Sequence, residues 1–250
     1  MWRVALGLLV AGCGRLAFDH TVDGGDGDVA DRDGTTDSMI PPGAVLWLPM
    51  DDAPPNIVDR AGGHVPGCTP PGECPTLVAG HRDRGYRFGG TTNSYIFVPF
   101  SADLSAAPGY TAATWINLES YRSGQGYNCI LSKPLNGGDF DSYSMCIQDD
   151  SLALFYSANA STPDFLLGPT VPLNSWHHLA MTWDGTTKRG YFDGAKVNEI
   201  ATLVASDTSN LLIGADNNSG APVYQIQGAL DDVMIWQRAL TDTEIATLAQ

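Results

Sequence analysis

The side chains able to do chemistry in this 250-residue chain are mostly carboxylates. Of 28 acidic residues only four are glutamates, Glu73, Glu119, Glu199 and Glu244, and the rest are aspartates. Hydrolysis of a glycosidic bond needs two carboxyl groups about 5–9 Å apart across the scissile bond. The four glutamates are scattered along the chain, so only an atypical aspartate pair could serve such a reaction. Nucleophilic catalysis has no footing either, since no G-x-S-x-G turn is present. His177 and His178 are adjacent in a strand pattern, where neighbours point to opposite faces and cannot chelate one ion together. A packing role beside Trp176 accounts for them. The net charge of −15 argues against nucleic acid as a partner, because that binding needs a basic footprint. It also argues against direct adsorption to anionic lipid. Oxygen ligands from Asp, Asn and carbonyls suit a hard cation, and calcium is the cofactor that fits this composition.

Five cysteines form an odd set, which in an oxidising compartment would leave one thiol unpaired. Setting aside Cys13 leaves Cys68, Cys74, Cys129 and Cys146, which allow three pairings. Proximity favours Cys68–Cys74 around a Pro-Pro-Gly loop, with Cys129–Cys146 as the second bridge. A zinc site lacks support, since there is no C-x-x-C and the histidines are not at ligand spacing. Cys13 follows a positive start, a short apolar run Val4 to Ala11 and Gly12, so residues 1–12 read as a secretory signal. The run is far shorter than the roughly 20 residues that cross a bilayer. Val10-Ala11-Gly12-Cys13 resembles the lipobox of bacterial lipoproteins. That resemblance implies that Cys13 is acylated and anchors an exported protein in a membrane, at the outer membrane or cell surface. Residues 13–43 are an acidic Asp/Gly-rich segment with too little apolar surface to offset its ordering entropy, and read as a flexible linker. Asp26, Asp28, Asp31 and Asp33 within it lack the ligand spacing and closing Glu of an EF-hand.

From residue 44 to residue 250 short apolar or alternating runs recur between Gly, Asn, Asp and Pro. Strands are expected near 44–48, 86–88, 95–98, 110–118, 127–133, 142–148, 152–157, 177–183, 189–192, 211–213 and 225–236. The pattern predicts one all-β domain, a two-sheet antiparallel sandwich. Asp193-Gly194 marks a tight hairpin. A second hairpin with Cys129 opposite Cys146 would set Lys133 opposite Ser142 and leave an eight-residue turn. Thr241-x-x-Glu244 is a capping box that opens a short C-terminal helix. Trp115, Trp176, Trp183 and Trp236 fall within strand patterns and read as core.

Three ordered segments carry a family resemblance. They are Trp176-His177-His178 through Trp183-Asp184-Gly185, then Tyr191-Phe192-Asp193-Gly194, then Gly228-Ala229-Leu230-Asp231-Asp232-Val233 through Leu240 with the helix after it. Together with Leu212-Ile213-Gly214 they resemble the LamG-like jelly-roll domains of the concanavalin A-like lectin and glucanase superfamily. The resemblance implies a jelly-roll sandwich over residues 44–250. It implies a calcium site where the opening strand meets the closing strand, with Asp51, Asp52, Asn56, Asp231 and Asp232 as ligands. Catalytic members resemble one another in an E-x-D-x-E strand that this chain lacks, so the expectation is a non-catalytic module binding a glycan or a surface protein. Lectin-like sandwiches bind through loops and a sheet face, and sugars need aromatic faces beside amides and carboxylates. Tyr121, Gln125, Tyr127, Asn128, Asp139 and Tyr143 offer that chemistry around the expected Cys129–Cys146 hairpin. The alternatives are a purely structural envelope lipoprotein and a hydrolase using an atypical Asp pair.

Overall fold

The structure is a computed structural model that describes residues 40–68, 74–91, 93–122, 124–135, 137–138, 140–149 and 151–250. The signal over 1–12, Cys13, the linker up to residue 39, Glu73 and Asp139 lie outside the described residues.

The strands in chain order are β1 (Ala44–Leu48), β2 (Gly67–Cys68), β3 (Thr76–Ala79), β4 (Arg84–Gly89), β5 (Ile96–Val98) and β6 (Tyr110–Ser120). Then come β7 (Tyr127–Leu135), β8 (Phe140–Gln148), β9 (Leu152–Asn159), β10 (Thr162–Thr170), β11 (His177–Trp183) and β12 (Thr187–Phe192). The last are β13 (Ala195–Ala201), β14 (Leu211–Ile213), β15 (Asp216–Asn218), β16 (Ala221–Val223) and β17 (Gln227–Trp236), followed by helix α1 (Asp242–Leu248). One sheet runs β13-β12-β11-β6-β17-β4-β3, with β1 also paired to β17. The other runs β10-β9-β8-β7-β14-β5-β2. All the strand pairings within these two sheets are antiparallel. β15 and β16 form a separate small hairpin.

Alternation along the strands explains the sandwich. Tyr86, Phe88, Ile116, Leu118 and Leu230 of the first sheet join Ile130, Tyr143, Met145, Phe155 and Ile213 of the second in one buried cluster. Tight contacts between the layers fix small residues. A Cβ on Gly190 would lie 2.3 Å from the Phe155 ring, so only glycine fits there. On the outside of the first sheet, Ile245 and Leu248 of α1 cover Ala113, Ala180, Tyr191 and Trp236. The helix opens with the expected capping box, Thr241 Oγ1 accepting from the Glu244 amide while Glu244 accepts from the Thr241 amide.

Both expected disulfides are present, Cys68–Cys74 and Cys129–Cys146, with Cα atoms 5.1 and 4.0 Å apart. Two such bridges fit an oxidising compartment. No helix among the described residues is long and apolar enough to cross a membrane.

The β7–β8 register needs correction. Cys129 does face Cys146, but Lys133 faces Tyr143 rather than Ser142. One extra residue, Ile130, bulges β7, and a second, Ser142, bulges β8. Pairing then resumes through Pro134 and Leu135, which shortens the turn to residues 136–139. The expected strand list also lacks β10 and β13. Pro163, Gly168 and Pro169 interrupt the alternation of β10, and β13 is almost wholly exposed with no apolar face to reveal it.

Candidate functional site

Two acidic groups stand on the outer faces, one on each sheet. The first sits where β17 passes from pairing with β4 to pairing with β1. The ladder shifts register between Asp231 and Met234 there, and Asp232 adopts φ 48°. The chain leaving β1 delivers Asp51 and Asp52 to the same place. Arg82 and Arg84 donate their backbone N–H to Asp231 Oδ2 at 2.9 Å and Asp51 Oδ1 at 3.3 Å. Trp47 Nε1 donates to Asp232 Oδ1 at 2.9 Å, and the Arg82 guanidinium lies 3.6 Å from its other oxygen. Burial, then the charges of Asp232 and Asp51, hold the Asp231 carboxyl up to about 8. Asp52 lies beside Tyr86, whose hydroxyl donates to the Asp52 carbonyl. Asn56 is exposed in the following turn, its amide bonded to the Ala53 carbonyl. Among the described residues no three Asp, Glu, His or Cys side chains converge to hold a metal ion.

The neighbouring histidines divide as strand geometry requires. His177 faces out, its Nδ1 2.9 Å from Asp193 and its ring stacked on Phe192. His178 is buried against Trp115, and burial takes its imidazole down to about 3, so it stays neutral. Trp115, Trp183 and Trp236 are buried, whereas Trp176 is partly exposed.

The second acidic group lines a cleft of about 280 Å³ on the outer face of the other sheet. Its floor is the Cys129–Cys146 disulfide with Leu154, a cluster separate from the main core. One wall is Tyr127 against Tyr224, edge to face with centroids 5.4 Å apart. The other is Tyr156 against Phe165, edge to face at 5.2 Å, with Phe165 49% exposed. Phe140 and Pro163 complete the apolar lining. The bulge at Ser142 reverses the side-chain phase of β8, so Asp141 leaves the core side and enters this cleft. The β15–β16 hairpin brings Asp216 beside it. That approach depends on glycine: Gly137 accepts from the Gly220 amide, and a Cβ on Gly138 (φ 99°) would meet the Asn217 carbonyl at 2.5 Å.

The Asp141 and Asp216 carboxyls hydrogen-bond to each other, which requires one of them to carry a proton. Burial, and then the charge of Asp216, raise Asp141 well above the ordinary carboxylate range; burial raises Asp216 as well. Ser144 Oγ donates to Asp141 Oδ2 at 2.8 Å, while Oδ1 is buried with no N–H or O–H donor.

The six residues expected at a ligand surface have different fates. Tyr127 lines the cleft. Tyr143 does not: it is fully buried, stacked on Tyr110, and donates its hydroxyl to the Leu104 carbonyl at 2.8 Å. Asn128 is also fully buried, accepting from the Arg122 amide at 2.9 Å. Tyr121 donates to the Val171 carbonyl, and the Gln125 amide to Tyr127 O and Gln225 O, so both brace the loop rather than face a ligand. Asp139 lies outside the described residues. Sequence reasoning flagged Asp139 and Tyr143 but missed Asp141, between them, as the residue turned outward. It also missed Tyr156, Phe165, Asp216 and Tyr224, which come from β9, the unrecognised β10 and the loop-like hairpin. Of the described glutamates, Glu119 pairs with Arg87, Glu199 with Arg189 and Lys196, and Glu244 with Arg238.

Comparison with known proteins agrees with this architecture. The family described as the concanavalin A-like lectin/glucanases superfamily matches residues 89–246. Adhesion G-protein coupled receptor D1 of Homo sapiens is 33% identical over 108 residues, 38% of this chain and 11% of that protein. Among solved structures, the binding domain of Paraclostridial Mosquitocidal Protein 1 superposes with a TM-score of 0.67 at 16% identity, covering 83% of this chain and 52% of that one. The receptor binding domain of botulinum neurotoxin type G gives 0.61 at 14% identity, with 83% and 51% covered. Trypanosoma rangeli sialidase gives 0.65 at 17%, with 88% and 34% covered. The chain thus spans a small part of the receptor and a third to a half of these structures, and at such identities the structural likeness concerns the fold.

Proposed function

This chain belongs to the concanavalin A-like lectin/glucanases superfamily, and from that premise we propose that it is a non-catalytic, surface-anchored module that binds a glycan in the cleft over the Cys129–Cys146 bridge. The observation that carries the reading is the lining of that cleft. Partly exposed aromatic faces of Tyr127, Tyr156, Phe165 and Tyr224 surround two carboxyls. Sugar rings offer C–H faces to aromatics and hydroxyl donors to carboxylates, and small-ligand sites pair an apolar lining with few convergent polar groups in this way. The toxin domains whose names describe binding, in one case receptor binding, share this fold, which supports a binding role. The non-catalytic reading is supported by the same pair. Carboxyls in direct hydrogen-bond contact leave no room for a scissile bond, which needs them about 5–9 Å apart.

Calcium belongs to the proposal as a stabiliser drawn to the Asp231–Asp232 pair, since no three acidic side chains among the described residues converge to hold it. The donors are all hard oxygens, and the mutual repulsion that raises Asp231 is the charge such an ion would neutralise. With only these side chains available, the ion would complete its shell from backbone carbonyls and water. The anchor is Cys13, acylated at the end of an acidic tether.

A glycan array with the wild-type chain, with and without EDTA, tests the function. We expect binding to a restricted set of sugars that Phe165→Ala and Tyr156→Ala each weaken by about tenfold or more. Absence of any glycan signal under both conditions removes the reading and leaves a structural envelope role. Turnover of an arrayed polysaccharide would replace it with a hydrolase.

A further inference from the structure

We propose that the sugar held in the cleft is an amino sugar, its ring against the aromatic walls and its free ammonium on the Asp141–Asp216 carboxyl pair. This rests on the reading of the cleft as a glycan site and specifies its chemistry.

The pair is under-supplied with hydrogen-bond donors and with positive charge. Asp141 is 6% exposed, and its Oδ1 is buried without a donor while Ser144 serves Oδ2. Asp216 is 9% exposed and accepts the Asn217 amide at 2.6 Å. The groups facing the pair come from every neighbouring strand: Ser144 on β8, Ser132 on β7, Tyr156 on β9 and the Asn217 amide on β15. None is cationic, and among the described residues no Lys, Arg or His lines the cleft. The Tyr156 hydroxyl is held protonated by burial and by the charge of these two aspartates. The present arrangement therefore offers the pair neutral donors only, and leaves Asp141 Oδ1 without one.

An ammonium supplies what is missing. It brings three donors and a full charge, where a neutral hydroxyl brings one donor and a carboxylate sugar brings repulsion. The aromatic walls add cation–π attraction, which strengthens when the cation is desolvated. A volume of about 280 Å³ suits one sugar ring. A bare metal ion would fill little of it and gain little from the aromatics, and the described residues offer only this one pair of carboxyls there.

Entry of the cation releases the shared proton, so binding strengthens as pH rises into the raised titration of the pair and weakens again once the amine itself loses its proton. Calorimetric titration of the full chain with glucosamine, N-acetylglucosamine, glucose and choline reads the proposal directly. We expect glucosamine to bind at least about tenfold tighter than N-acetylglucosamine or glucose. Its apparent enthalpy should vary with buffer ionisation, reporting the released proton. Asp216→Asn should abolish the preference. Phe165→Ala, at an exposed position that leaves folding intact, should weaken every sugar while keeping their order. Equal affinity for glucosamine and its N-acetyl and neutral counterparts overturns the amine inference and leaves glycan recognition standing. No sugar binding at all removes both. Choline binding as tightly as glucosamine overturns the sugar part in favour of a bare ammonium site. Calcium that competes with glucosamine in the wild type assigns the pair to a metal and overturns the proposal.

Discussion

Asp231 ionises near 3.9 in an unfolded chain, yet in the folded protein it holds its proton up to about 8. Between those values the native state binds the extra proton, so stability falls as pH rises through the window and the loss is complete above it. Asp231→Asn removes the titration while keeping an oxygen for the Arg82 amide. Thermal denaturation in EDTA should therefore show the variant equal to wild type below pH ~4 and increasingly more stable as pH rises, by well over about 1 kcal/mol at pH ~8. If the proposed ion binds, calcium should reverse the order at high pH, since an ion at Asp231 and Asp232 stabilises the ionised wild type and has less to hold in the variant. A wild-type melting temperature that calcium leaves unmoved would rule out the ion. A variant destabilised equally at every pH would rule out the charge argument. The same scale shows why neighbouring residues of one type diverge. His177 and His178 differ only by strand parity, and one is hydrogen-bonded to Asp193 on the outer side while the other is a neutral core group.

The β7–β8 hairpin builds the cleft, and its disulfide does two jobs there: it closes the loop and floors the site. By loop-closure entropy a 17-residue separation gives about 3 kcal/mol, against about 2 kcal/mol for the six-residue separation of Cys68–Cys74. Cys129→Ala with Cys146→Ala should then lower unfolding free energy more than the corresponding change at Cys68 and Cys74, and weaken cleft binding as well. A larger loss from the smaller loop, measured by denaturant titration, would contradict the entropic account. This hairpin also marks how far a sequence carries the fold. Cysteine arithmetic and strand alternation are local signals, and they give the pairing of Cys129 with Cys146. The bulges at Ile130 and Ser142 leave no such signal, because an inserted residue is chosen by the twist and closure of the whole sheet. One bulge turned Asp141 outward, and the register without it left Tyr143 as the candidate. β10 and the β15–β16 hairpin were illegible for a related reason. Prolines, glycines and exposure erase the alternation, and only tertiary pairing makes these segments strands. The strongly patterned parts, from β11 through the Asp193-Gly194 turn and from β17 into α1, were legible because each local preference agreed with the global fold.

At the scale of the whole chain, the proposal adds an acylated Cys13 and the acidic residues 14–43 to the sandwich. Seven aspartates lie between residues 19 and 37, and such charge does not adsorb to an anionic headgroup layer. An anchor in this segment would therefore have to hold without charge, as covalent acyl chains do. Each buried CH₂ contributes roughly 0.8 kcal/mol, so two chains make attachment stable where one does not. Expressed in a lipoprotein-processing bacterium, the wild-type chain should incorporate labelled palmitate and sediment with membranes. Cys13→Ser should lose both while keeping the melting temperature and cleft affinity of the domain, because neither disulfide involves Cys13. Palmitate retained in Cys13→Ser would place the acyl group elsewhere. An unlabelled wild type found wholly in the soluble fraction would make the domain a secreted binder, and the acidic segment a solubilising tail.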